Sequence, residues 1–131
     1  MANIQTSPNF VKGQIPTAAQ WNGYFSSKQD ALIATVSITG NSTAVGSACK
    51  YVVDTTLGVV TLIIPPSLGQ SGKENCIRVV KRSATPNTNQ VILNNGTSDF
   101  AFLINENNNS GAGWLDIYMN GTAITDICGV P

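Results

Sequence analysis

Seven carboxylates are the residues with which this chain could do acid–base chemistry: Asp30, Asp54, Glu74, Asp99, Glu106, Asp116 and Asp126. Glycoside hydrolysis needs two of them facing each other across a groove. Asp54 and Asp116 sit in strand-like contexts from which they could approach, although turn capping and a solvated strand face are the simpler roles for both. The chain has no histidine, so the commonest general base and the Ser-His and Cys-His nucleophile pairs are missing. Gly69-Gln70-Ser71-Gly72-Lys73 lacks the spacing of a phosphate-binding loop. Cys49, Cys76 and Cys128 are an odd number without metal-ligand spacing. Their apolar surroundings predict buried free thiols, which suits a reducing compartment. These features predict a protein that is not an enzyme, with no catalytic residues, no metal site and no cofactor.

The composition narrows the partners. Lys plus Arg and Asp plus Glu are seven each in 131 residues, so no basic field exists to attract nucleic acid or anionic lipid. Lys73, Arg78, Lys81 and Arg82 form a small basic cluster that reads as a solvated strand face. Charged residues are only 11% of the chain, and Asn, Thr, Ser and Gly take their place. The longest apolar run, Leu57 to Ile64, is far too short to cross a bilayer, and the first residues carry neither the charged nor the apolar region of a signal peptide. Asn41, Asn95, Asn108 and Asn120 fall in glycosylation-like triplets that chance explains in so Asn-rich a chain.

The elements that position these residues divide in two. Residues 1–35 read as an extended arm followed by one short amphipathic helix from Ala18 to Ala31. Thr17 and Gln20 have the spacing of a capping box, and Trp21, Tyr24, Phe25 and Lys28 recur on one helical face. So short a helix cannot bury three aromatic rings on itself and is marginal alone. The stripe either packs on the chain's own β domain or docks elsewhere, with Phe10, Ile15, Trp21, Tyr24 and Phe25 as the docking anchors.

Residues 36–131 read as a small β domain. Short alternating runs are punctuated by Gly, Pro and Asn turns every eight to twelve residues, and Asn120-Gly121 is the strongest hairpin signal. The fold class expected is mainly β: an antiparallel sandwich or jelly-roll-like domain behind an arm and one helix. Val59 to Ile64 and Phe100 to Ile104 are almost wholly apolar where a half-solvated strand should alternate. Such strands are either covered on both sides or pack against another subunit. The small domain favours the latter, with Val60, Leu62, Ile64, Phe100, Phe102 and Ile104 as the oligomer interface.

The string Thr17-Ala18-Ala19-Gln20-Trp21-Asn22-Gly23-Tyr24-Phe25, followed by Lys28-Gln29-Asp30, resembles the N-terminal helix of tail-fibre and related virion proteins of tailed bacteriophages. Tyr51 to Thr56, Val59 to Leu62 with Pro65-Pro66, Ile77-Arg78-Val79, Asn89 to Leu93, Ile104-Asn105 and Trp114 to Thr122 are similar to a β domain of the same proteins. The resemblance implies a virion structural protein, assembled in the host cytoplasm, that forms a homotrimer and docks on the tail, collar or head through its N-terminal segment. The chain has no repeat region, shaft or large tip, so a short fibre, whisker or decoration protein fits better than a long fibre. A small lectin-like module that binds a host surface glycan through Asn107 to Trp114 is the alternative of a different class.

Overall fold

The computed structural model of the chain describes residues 15, 17–23, 34–46 and 49–131. Among these residues nine strands follow a helical segment at 18–23: β1 Thr35–Ile38, β2 Ser42–Thr43, β3 Lys50–Val53, β4 Val60–Ile63, β5 Asn75–Lys81, β6 Val91–Asn94, β7 Asp99–Leu103, β8 Trp114–Met119 and β9 Ile124–Val130. A single 3-10 turn, Pro66–Leu68, lies between β4 and β5. The mainly-β domain with one short helix is therefore the architecture that turn spacing predicts.

The strands form two mixed sheets. One has five strands in the order β1-β3-β5-β8-β9, and the other has four in the order β2-β4-β6-β7. Pairing within β1-β3-β5 and within β2-β4-β6 is parallel, whereas β5–β8, β8–β9 and β6–β7 are antiparallel. The expected all-antiparallel pairing thus holds for the second half of the domain and gives way to parallel pairing in the first. From β1 to β6 the chain alternates between the sheets, so each circuit adds one strand to both. The same backbone bond recurs in successive circuits, Asp54 N to Ile38 O and Arg82 N to Val53 O, at 2.9 Å each. A link as short as 39–41 reads like a hairpin turn. Yet three extended residues span about 10 Å, which is also the gap between packed sheets. The sequence therefore carries no mark that separates a hairpin from a crossing to the opposite sheet.

The core lies between the sheets. Tyr51, Val53, Ile77, Val79, Leu115, Ile117 and Met119 come from one side, and Val60, Leu62, Ile64, Val91, Leu93 and Leu103 from the other. Each large apolar side chain enclosed this way contributes about 1.5–3 kcal/mol relative to exposure. Tyr51 spends its hydroxyl on the Val45 amide at 2.9 Å, which lets a polar tip stay in an apolar layer.

Asparagine builds the turns. In 95–98 and again in 120–123 the Asn side-chain oxygen accepts two backbone N–H groups and the Thr hydroxyl, at 2.8–3.1 Å. The glycine between them, Gly96 or Gly121, has φ near +100°, a conformation that only glycine adopts without strain. The Asn-Gly-Thr triplets are turn chemistry, and the second of them joins β8 to β9 as the hairpin signal predicts.

Candidate functional site

The N-terminal helix begins as its residues predict, at 18–23, and its expected continuation to Ala31 lies outside the described residues. Thr17 N donates to Gln20 Oε1 at 2.8 Å and Gln20 N donates to Thr17 Oγ1 at 3.2 Å, the reciprocal pair of a capping box. Every described residue from 15 to 23 is exposed, and none belongs to the domain core. Ile15 is 88% exposed and Trp21 40%. Two of the five docking anchors are thus presented outward. Phe10, Tyr24 and Phe25 lie outside the described residues.

The interface expected on the apolar strands needs correction. Val60, Leu62 and Ile64 are no more than 2% exposed and belong to the chain's own core, so no partner can reach them. Phe100 sits at the bulge between β6 and β7 and packs on the edge of that core. Phe102 and Ile104 do face outward, at 46% and 56% exposure. Alternation explains the division: with Val60, Leu62, Val91, Leu93 and Leu103 turned in, their neighbours Thr61, Ile63, Ile92 and Phe102 must turn out. The register places Thr61, Ile92 and Phe102 in one row across three strands. Val59 and Ile104 extend the apolar surface beyond the strand ends. The outward residues of this face are Val, Thr, Ile, Gln, Asn and Phe, and among the described residues its one ionisable group is Asp99, at the start of β7 opposite Asn94. At its rim, Asn94 Nδ2 donates to Asp99 Oδ1 at 2.7 Å. An open depression of about 300 Å³, lined by Asn41, Ser42, Thr43, Thr61 and Ile63, marks where β2 stops short beside β4. There Asn41 Oδ1 accepts the Thr61 N–H that β2 leaves unpaired, at 2.8 Å.

The outer face of the five-stranded sheet has the opposite character. Lys50, Arg78 and Asp116 stand in one row of the register. Arg78 grips Asp116 with two bonds, Nε to Oδ1 at 2.7 Å and Nη2 to Oδ2 at 2.8 Å. Its guanidinium also lies 4.7 Å above the Trp114 ring. The Asp116 hydrogen bond raises the Arg78 pKa further, against some desolvation. Beneath this group Val80, between Val52 and Trp114 in the register, is only 3% exposed although it points away from the core. Trp114 gives its indole N–H to Gly111 O at 3.1 Å. One ring face and the N–H of the residue that would hold a sugar are therefore engaged within the chain.

The remaining reactive groups are structural. Asp54 Oδ1 caps the turn after β3 by accepting from Thr56 N at 2.8 Å, and its hydrogen bonds to Thr56 lower its pKa. Asp116 stands two strands away and is held by Arg78, so no facing carboxylate pair forms between the two. Lys81 departs from the solvated basic face: it is fully enclosed, while Arg78 and Arg82 remain exposed. Of the free thiols, Cys49 and Cys76 are half-buried, but Cys128 is exposed on β9, which corrects the expectation of three buried cysteines. Partial desolvation, then the neighbouring Asp126 carboxylate, push the Cys128 thiol pKa up. Among the described residues no cluster of His, Cys, Asp and Glu has the arrangement to hold a metal ion.

No family model, curated protein or solved structure matches the chain.

Proposed function

We propose that this chain is a non-enzymatic structural protein of a bacteriophage particle, a short homotrimeric fibre or whisker attached to the tail, collar or head through its N-terminal arm and helix. The observation that carries the reading is the capped helix segment at 18–23, which stands outside the domain core with Ile15 and Trp21 exposed. A helix of this length gains most of its stability from packing. A partner surface that covers the exposed parts of Ile15 and Trp21 would add to that packing. Three copies on one particle would make weak single contacts hold through multivalency. The outer face of the four-stranded sheet, apolar apart from Asp99 at its rim, supports self-association, because a copy can cover most of it without burying a charge. The resemblance of residues 17–30 to virion docking helices supports the choice of a particle as partner. Capsid decoration is the same chemistry on a different dock. The engaged Trp114 favours either of these over a lectin-like module.

The experiment is incorporation of full-length Trp21→Asp protein into particles. The variant leaves the described core untouched, so the β domain should stay folded by circular dichroism while the protein is lost from purified particles. Normal incorporation would refute the docking role.

A further inference from the structure

Asparagine followed by glycine is the pair most prone to lose its side-chain amide. The glycine nitrogen closes a succinimide ring on the asparagine Cγ, and no Cβ obstructs it. The chain holds three such pairs, Asn22-Gly23, Asn95-Gly96 and Asn120-Gly121. The last two are both followed by threonine, so local sequence gives them nearly the same reactivity. Their turns are also alike. Asn95 Oδ1 accepts from Thr97 N, Thr97 Oγ1 and Ser98 N at 2.8–2.9 Å, and Asn120 Oδ1 accepts from Thr122 N, Thr122 Oγ1 and Ala123 N at 3.0–3.1 Å. Gly96 has φ +102° and Gly121 φ +101°. The donors bear on the chemistry, because negative charge collects on Oδ1 as the nitrogen attacks, and fixed N–H and O–H groups stabilise it there. Each turn thus activates the carbon that is attacked.

The attacking nitrogen separates them. Gly121 N donates to the main-chain carbonyl of Pro66 at 3.0 Å. The 3-10 turn and the residues after it clasp this glycine: Gly69 lies against Met119 and Gly121, and Gly121 against Gln70 and Ser71, main chain on main chain. Gly121 N reaches Asn120 Cγ only if the β8–β9 turn pulls away from that segment. Gly96 N has no such tie. It donates to a side chain, Asn94 Oδ1, at 2.7 Å, and Asn94 Nδ2 donates in turn to the exposed Asp99. Residues 96–99 are exposed, and open space surrounds Gly96. Rotation of one side chain releases its nitrogen.

We infer that Asn95 is a site of self-modification, converted to aspartate and isoaspartate in the folded protein, and that Asn120 in the same tripeptide is protected. Gly96 N gives its proton to water or hydroxide and bonds to Asn95 Cγ. The Cγ–Nδ2 bond breaks, and Nδ2 takes a proton from solvent and leaves as ammonia. Water then opens the succinimide, at Cγ to give isoaspartate's normal isomer, aspartate, when the Cγ–N bond breaks, or at the main-chain carbonyl to give isoaspartate. One water is consumed, one ammonia is released, and nothing is oxidised or reduced. Either product puts a carboxylate beside Asp99 at the rim of the four-stranded sheet. Isoaspartate also lengthens the main chain in a turn whose β6–β7 register already shifts between Leu93 and Asn94. Conversion therefore loosens this turn and leaves the β8–β9 turn intact. The chemistry is independent of the proposed function.

Full-length wild-type protein is aged in mildly alkaline buffer, folded in one arm and in concentrated guanidinium chloride in the other. Conversion at each asparagine is read by peptide mapping and mass spectrometry. In the folded protein Asn95 should convert roughly tenfold faster than Asn120, the factor that opening one additional hydrogen-bonded contact imposes. In denaturant the two rates should come together, because the tripeptides are the same. Equal rates in the folded protein, faster conversion at Asn120, or a difference that persists in denaturant would overturn the inference. So would an Asn95 that stays intact in the folded protein while the unfolded chain converts fully.

Discussion

Lys81 and Glu106 form an ion pair across one end of the domain, Nζ to Oε1 at 3.2 Å, and the ammonium has no exposure to solvent. The same Nζ donates to the carbonyls of Asn87 at 2.9 Å and Ile104 at 2.8 Å. Glu106 Oε2 in turn accepts the Ser83 N–H at 2.9 Å. One cation thus ties the β5–β6 and β7–β8 connections to β5. Beside it Thr55, Ser83, Asn87 and Asn89 close the end of the sandwich by hydrogen bonds among themselves. A buried charge is tolerable only when it is paired and solvated by the protein: two carbonyls accept from this ammonium, and Glu106 Oε1, which makes no hydrogen bond of its own, supplies the counter-charge.

Removing the lysine leaves Glu106 without its counter-charge. Lys81→Met should destabilise the domain by about 3–5 kcal/mol, read from chemical denaturation. Replacing both residues, Lys81→Met with Glu106→Leu, should recover a large part of that loss, because no unpaired charge is then left inside.

The same carboxylate sets an acid limit. Burial raises the Glu106 pKa, but the Ser83 hydrogen bonds and the Lys81 charge outweigh it, and the folded value is lowered. A depressed folded pKa gives stability that is present above the unfolded Glu value of about 4.3 and is lost as pH falls through the folded one. Thermal melting followed from pH 7 to pH 3 should therefore drop at the acid end. Glu106→Gln should begin lower and show a shallower acid limb.

The Arg78–Asp116 pair is partly open to water, with the arginine side chain 49% exposed, so its contribution is discounted. Arg78→Ala should cost about 1 kcal/mol, combining a screened ion pair with the stack on Trp114. A double-mutant cycle with Asp116→Ala should give a coupling that shrinks as salt rises. Indole fluorescence should shift, because Trp114 loses its cover.

Gly113 separates space from conformation. It has φ +78°, and a Cβ there would meet the Asn105 carbonyl oxygen and the backbone of Glu106 and Asn107. Gly96, at φ +102°, has open space around it. Gly96→Ala should cost about 1–2 kcal/mol for the left-handed backbone alone. Gly113→Ala should cost more, because main-chain atoms must also move. Melting temperatures of the two variants give the ranking directly.

Asn95 and Asn120 each accept three hydrogen bonds in their turns. Asn120→Ala should destabilise by about 1–2 kcal/mol and speed amide exchange in β8 and β9 ahead of the other strands. Asn120→Asp, which keeps the accepting oxygen, should retain most of the stability.

Local features were legible in the chain because their partners lie a few residues apart. The Thr17–Gln20 box, the Asn-Gly-Thr turns and most strand positions all followed from spacing. The two-residue β2 escaped notice, because Ser42 and Thr43 sit beside Gly40 and read as turn. The inward and outward sides of β4 and β7 were not legible either. Periodicity assigns a face only when the two faces differ in polarity, and Val60 and Ile63, or Leu103 and Phe102, do not differ. Lys81 was hidden for the opposite reason: a basic residue beside Arg82 reads as solvated until two carbonyls and a carboxylate from distant loops are seen around it.

The sequence by itself determined that this is a β protein with a capped N-terminal helix, few charges and turns built by asparagine, because those properties are decided over three to five residues. Tertiary structure alone decided that the first strands pair in parallel across alternating sheets, that Val60, Leu62 and Ile64 belong to the core, and that Phe102 and Ile104 face outward. Those outcomes depend on which distant strand arrives beside which. A hydrogen-bonded edge accepts any strand in suitable register, so only the packing of the whole chain makes the choice.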